Sequence, residues 1–341
     1  MMNYNNNNNN NHHANNLNNN NFNNINNFYK LHKWIDINKL NWYNLSSNPN
    51  AIYLLEKNID KINWFRLSSN INAIHLLEKN IKNIHWKNLS SNPNAIHLLE
   101  KNIDNIDWDS LSSNLNAIHL LEQNINKIWW EILPYNPNAI QLLKQHHNKI
   151  IWKYLSLNPY AILEQRHNKI IWNILSRNSN AIQLLEKNTD KINWNLLSQN
   201  PHAIHLLEKN IDKINWDNLS LNSNPNAIHL LEKNIDKINW NNLSGNTSAI
   251  HLLEKNIDKI YWANLSENPN AIQLLENNIN KINWTSLSEN PSIFTYDYEK
   301  MYEYKTDFRN ELINFIMNPD RIHNICKIYN IDYRKLVQIY E

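Results

Sequence analysis

The chain has 341 residues, with 33 Lys and Arg against 31 Asp and Glu, 42% hydrophobic residues, one cysteine and one glycine. A near-neutral balance gives no global basic field for nucleic acid or a membrane surface. A single Cys326 excludes a disulfide framework and fits a reducing compartment, and a single Gly245 excludes Gly-rich phosphate loops.

Residues 1–27 contain 18 Asn, with scattered His12, His13, Leu17, Phe22 and Ile25. Such a tract buries too little apolar surface to offset chain entropy, so a disordered head is expected. No apolar run of membrane-spanning length occurs and no apolar signal core opens the chain, so neither a membrane span nor a secretory signal is expected. Residues 28–41 read as a modified first unit and an N-terminal cap, with Trp34 and Ile35 where ordinary units are more polar.

Residues 42–292 hold one sentence written about twelve times. Its tryptophans are Trp42, Trp64, Trp86, Trp108, Trp130, Trp152, Trp172, Trp194, Trp216, Trp240, Trp262 and Trp284. Nine of the eleven steps are 22 residues; Trp152 to Trp172 is 20 and Trp216 to Trp240 is 24. A fixed period of this size predicts a solenoid whose units bury apolar faces only against their neighbours. Within a unit, Asn48 and Pro49 start a helix over about 49–57, with Ala51, Ile52, Leu54 and Leu55 on one side. Asn58 follows it and is expected to take a left-handed C-cap. Asp60 is a second cap candidate. Ile62, Trp64 and Leu67 then carry a short second helix, or only a 3₁₀ turn around Trp64–Leu67. The fold class is therefore all-α: an α-solenoid superhelix of about twelve units, each one α-helix plus a short helical turn, with helical caps. At roughly 10 Å per unit the array would run on the order of 100 Å. The missing residues near Ala161–Trp172 are expected to kink it, and the insertion at Leu221–Ser223 to be tolerated.

Residues 293–341 break the period. Phe308, Leu312, Ile313, Phe315 and Ile316 have helical spacing, Asn318-Pro319 restarts a helix, and Tyr333 to Tyr340 suggests another; a helical C-terminal cap is expected.

The unit W-x-x-L-S-x-N-P-x-A-I-x-L-L-E-x-N occurs with Trp34-Ile35-Asp36, then Lys39-Leu40-Asn41-Trp42, at one end. At the other stand Tyr296-Asp297-Tyr298, Glu311-Leu312 and Asn318-Pro319-Asp320-Arg321-Ile322. Together they make the chain from about residue 30 to 341 resemble repeat proteins of mimivirus-like giant viruses. Departures are Ile71 and Leu115 for Pro, Thr247-Ser248 for Pro-Asn, and Asn318 for an expected His. The resemblance implies a giant-virus source, hence an intracellular protein of the host cytoplasm. It brings no catalytic residue.

The Trp ladder reads as core packing, with base stacking as the alternative. A His/Gln ladder at Tyr53, His75, His97, His119, Gln141, Gln183, His205, His229, His251 and Gln273 reads as a solvated face, because helices 8–10 Å apart do not bring adjacent imidazoles onto one metal ion. The Asn58, Asn80 and Asn102 series reads either as helix caps or as a cross-unit amide ladder. The pair after each Trp varies within a constant frame: Tyr43-Asn44, Phe65-Arg66, Lys87-Asn88, Asp109-Ser110, Lys153-Tyr154. Such positions line binding faces in repeat arrays, or simply drift on an unconstrained surface. Lys144, His146, His147, Lys149, Lys153, Arg166, His167, Lys169 and Arg177 form a basic centre, either an anionic-partner patch or a degenerate unit.

Candidate partner-binding residues are therefore Tyr43, Phe65, Arg66, Lys87, Asp109, Tyr154 and that basic centre. No nucleophile elbow, zinc spacing or phosphate loop occurs, so no enzymatic activity, metal or cofactor is expected. The expected function is a protein-binding scaffold. A self-assembling structural component is the alternative, and nucleic-acid binding through the basic centre a weaker one.

Overall fold

The computed structural model describes residues 28–160 and 170–316, with positions 318, 321, 322 and 327 beyond them. The Asn-rich head, the shortened unit with Arg166, His167 and Lys169, Cys326 and the expected helix at Tyr333–Tyr340 lie outside the described residues. The chain divides into two compact units, residues 31–294 and a second made of 1–30 with 295–341.

Residues 31–294 form an all-α repeat solenoid. A typical repeat opens with a helix such as Trp64–Ser68, continues into a second such as Ile74–Lys79, and ends in a 3₁₀ turn such as Ile81–Asn83. The assignments differ in detail from the sequence expectation. The Trp segment is α-helical, the 3₁₀ turn follows the Leu-Leu helix, and the Pro-Asn-Ala start is itself 3₁₀ in several repeats, as at Pro93–Ala95. Asn58 sits at φ −136°, so it does not take the left-handed cap; its Nδ2 instead donates to the carbonyl of Leu54 at 2.9 Å within its own repeat. The Asn58 series is thus a local cap and not a cross-unit ladder.

Helices of five or six residues cannot persist alone, because nucleation costs more than so few hydrogen bonds return. Their support is lateral. Leu67, Ala73, Leu77, Leu89, Ala95 and Leu99 are fully buried, and the equivalent positions repeat along the array. The twelve register tryptophans are only half-buried. The core is leucine and alanine, whose small cross-section lets successive short helices pack closely, while the larger indoles lie at its margin.

Short helices also leave almost every terminal carbonyl without an intrahelical partner. A buried asparagine six residues after each Trp supplies the missing donors. Asn70 Nδ2 donates to the carbonyls of Ser46 (3.1 Å) and Asn48 (2.9 Å) in the preceding repeat, and its Oδ1 accepts the amide of Asn72. The same pattern recurs through Asn92, Asn114, Asn136, Asn158, Asn178, Asn200, Asn222, Asn246, Asn268 and Asn290. The inserted residues at Leu221–Ser223 leave it intact, since Asn246 still reaches Ser220 and Asn222. A serine ladder runs beside it. Ser46 Oγ donates to the carbonyl of Trp42 and accepts the amide of Asn63, which caps the next Trp helix.

The asparagine ladder has no free end. Asn48 of the first repeat donates to the carbonyls of Ser288 (3.1 Å) and Asn290 (2.9 Å) in the last. The amide of Asn41 donates to Ser288 Oγ, Asn44 Nδ2 to the carbonyl of Thr285, and Asn50 Nδ2 to that of Pro291. Arg66 pairs with Glu289 across the same seam. The twelfth repeat stops after its turn at Pro291–Ile293 and never forms a Leu-Leu helix. The N-terminal segment completes it: Ile37–Lys39 forms the 3₁₀ turn, capped by Asp36. Residues 31–41 are thus the closing piece of the last repeat rather than a free-standing terminal cap. The repeats return on themselves, and the extended array of about 100 Å implied by simple stacking at the usual helix spacing does not form.

One rung is damaged. Pro134 stands where every other repeat has the ladder serine. It has neither the amide that would bond the carbonyl of Trp130 nor a hydroxyl for the amide of Ile151. Accordingly Trp130 lies in a turn, and only Leu133–Tyr135 is helical, as 3₁₀. Pro134→Ser is expected to raise stability by about 1 kcal/mol, the net worth of restored hydrogen bonds. Urea unfolding measures it, and an unchanged or lowered midpoint would refute the assignment.

In the second unit, Tyr29 stacks on Tyr296 at 4.9 Å and Lys30 pairs with Asp297 at 2.9 Å. Burial and the Tyr296 hydroxyl push the Tyr29 phenol up to about 12. The helix Tyr298–Ile316 follows, and Asn318 Oδ1 accepts the amide of Arg321. Short strands Tyr29–Leu31 and Phe294–Tyr296 pair in a two-stranded sheet.

Candidate interaction surface

Four side-chain registers reach the outside of the array. The first follows each Trp. That residue is the second of the Trp helix, and its side chain points away from the Leu core. Tyr43 (49% exposed), Phe65 (47% exposed), Lys87, Asp109 and Lys153 all lie exposed in this register. The residue after it behaves differently. Asn88, Asn218, Asn242 and Asn264 donate to backbone carbonyls of the preceding repeat, so this half-buried position is largely structural. Arg66 belongs to it: its guanidinium bonds Ser47, pairs with Glu289 and lies over the Tyr43 ring at 5.2 Å. Tyr154 likewise packs on Tyr135 at 4.8 Å, and burial followed by Tyr154 raises the Tyr135 phenol.

The second register pairs most indoles with the lysine that closes the 3₁₀ turn of the same repeat. Lys61 lies over Trp42, Lys127 over Trp108, Lys213 over Trp194 and Lys259 over Trp240, at 4.7 to 5.0 Å. Across the seam Lys39 covers Trp284 at 5.0 Å. These are cation–π contacts, favoured by the negative face of the indole. The signal was present in the sequence as a lysine recurring 19 residues after Trp.

The third register is the His/Gln ladder. Rather than being independently solvated, its histidines meet the glutamate of the preceding repeat: His75 with Glu56, His97 with Glu78 and His119 with Glu100, each at 2.7 Å. Hydrogen bonds from His251 and then His229 hold the Glu232 carboxyl below its usual range. The fourth is a row of exposed isoleucines opening the 3₁₀ turns, including Ile59, Ile81, Ile103, Ile211 and Ile235.

The basic centre is only partly a surface. Lys149 is the ordinary indole-covering lysine, over Trp130 at 4.9 Å, and His146 packs on the same ring at 5.1 Å. Lys153 lies 5.5 Å over Tyr154, and Arg177 reaches Gln199. Lys144 and His147 are exposed. At Asp107, burial raises the carboxyl, but bonds from Ser110 and the charges of Lys87 and His85 outweigh it and lower it overall.

Among the described residues no three His, Cys, Asp or Glu side chains converge as a metal site, and no helix is long and apolar enough to cross a membrane. Comparison of the chain with protein-family models, curated proteins and solved structures returns no match.

Proposed function

We propose that this protein is a non-enzymatic scaffold that binds another protein through the exposed residue after each Trp. The observation that carries the reading is the contrast between two neighbouring positions. The half-buried one is Asn in five repeats and there bonds a backbone carbonyl of the neighbouring repeat, whereas the exposed one runs Tyr43, Phe65, Lys87, Asp109, Glu131 and Lys153 in six successive repeats. Aromatic side chains such as Tyr43 and Phe65 are enriched at protein interfaces, and charged ones at the rim select and steer the partner. The resemblance to giant-virus repeat proteins makes a host or viral polypeptide the natural partner and the host cytoplasm the natural setting.

Exchanging Tyr43, Phe65, Lys87, Asp109 and Lys153 together for Asn, which already occupies this register at Asn195 and Asn241, tests the reading. Full-length parent and variant serve as bait in nuclease-treated lysate. The variant is expected to recover at least about tenfold less partner, a loss of about 1.4 kcal/mol, with unchanged circular dichroism and melting. Equal recovery would overturn the proposal. A partner lost from the parent on nuclease treatment would favour nucleic acid instead.

A further inference from the structure

Among the described residues, nine indoles carry the lysine of their own repeat's closing 3₁₀ turn over the ring, at 4.6 to 5.0 Å. Two adjacent ones do not. At the position 19 residues beyond Trp64 and Trp86 the chain has Asn83 and Asn105. Asparagine is neutral and too short to place a charge over the ring. Both asparagines are exposed, both indoles are half-buried like the others, and the repeats around them are otherwise regular. The frame that brings an ammonium to an indole is thus retained at two consecutive repeats, and the chain's own ammonium is not.

We infer that the uncovered faces of Trp64 and Trp86 form a binding site for two cationic side chains of a basic polypeptide segment. The ligand chemistry is read from the array itself, which places an ammonium on the same face nine times over. Equivalent points of neighbouring packed helices lie roughly 8–10 Å apart. An extended chain advances about 3.3 Å per residue, so lysines three positions apart match adjacent repeats. The two faces are unequal. Asp104 precedes Asn105 and adds attraction beside Trp86, whereas Lys82 precedes Asn83 and opposes a cation beside Trp64. Trp86 is therefore the stronger half. The inference deepens the scaffold reading and rests on it for the ligand being a polypeptide.

The probe is a synthetic hexapeptide, Gly-Lys-Gly-Gly-Lys-Gly, titrated into the full chain while the indole N–H resonances are followed. The control peptide carries norleucine for each lysine. The lysine peptide is expected to shift Trp64 and Trp86 selectively, and the norleucine peptide to shift neither. N105K should weaken binding more than N83K, and the double variant should weaken it about tenfold. Both variants restore an arrangement already found in nine repeats, so folding is not at stake. Equal shifts from the norleucine peptide, shifts confined to other indoles, or undiminished binding by the double variant would overturn the inference. If the peptide fails while exchange of Tyr43, Phe65, Lys87, Asp109 and Lys153 still releases a captured partner, this inference falls and the scaffold reading stands.

Discussion

Asn48→Ala is expected to destabilise residues 31–294 as much as Asn70→Ala, by about 3 kcal/mol each. Both side chains are at least 98% buried, and each donates to two carbonyls and accepts one amide. Leaving a buried backbone group unpaired costs about 1–3 kcal/mol, and relaxation with water entry keeps the total near the upper end of one such loss. The comparison is sharp because the two residues differ in what precedes them. Asn70 follows the first repeat in sequence, whereas the partners of Asn48 lie about 240 residues away, at Ser288 and Asn290. An open array would give Asn48 no preceding repeat, and its loss would then be nearly free. Guanidinium unfolding of both variants decides it: similar losses support closure, and a negligible loss for Asn48→Ala refutes it.

Asn222→Asp should cost more, about 5 kcal/mol near neutral pH. Asn222 is fully buried, with Nδ2 donating to the carbonyls of Ser198 (3.0 Å) and Asn200 (3.1 Å). A carboxylate of the same shape turns two attractions into repulsions between oxygens and adds the desolvation of a charge. Burial raises the pKa of such a carboxyl above its unfolded value. The unfolded state then holds fewer protons than the folded one over the interval between the two values, so stability falls as pH rises through it. Relative to the parent at the same pH, the variant should be least stable at pH 7.5 and recover part of the deficit by pH 4.5. Recovery stays partial because a protonated carboxyl donates only one of the two bonds. A deficit independent of pH would show that the site admits water.

The features that rest on neighbouring residues were legible before the structure. The 22-residue period, the Pro start at Pro225, the Ala-Ile-x-Leu-Leu face and the short Trp helix all follow from spacing, whereas Pro49 lies in a turn and its helix begins only at Ile52. The Asn ladder was present but easily misread. Asn occupies the sixth position after all twelve tryptophans, while the next residue varies among Pro49, Ile71, Leu115, Ser179, Ser223 and Thr247. A helix N-cap explains one such Asn. A constant polar residue among variable neighbours is better explained by burial, because only a buried amide has to match fixed partners. The Asn58 series also recurs, yet its bond stays within one repeat. The exposed register after Trp was readable; the structural use of Arg66 and Tyr154 was not, because their partners Glu289 and Tyr135 belong to other repeats, nor was that of His146, which meets Trp130 only when their repeat folds.

The sequence by itself determined the repeat unit, its helices, its buried leucines and the number of copies. Those depend on interactions within a few turns of chain, which a 22-residue pattern spells out. Only the tertiary structure decided that the copies close. Closure requires the small rotation from one repeat to the next to accumulate to one full turn after twelve steps. That rotation is set by how Leu, Ala and the ladder Asn pack between repeats, a quantity the period does not contain. The same closure gave the N-terminal segment its role, because the twelfth repeat ends at its Pro291–Ile293 turn without a closing 3₁₀ turn and Ile37–Lys39 provides one.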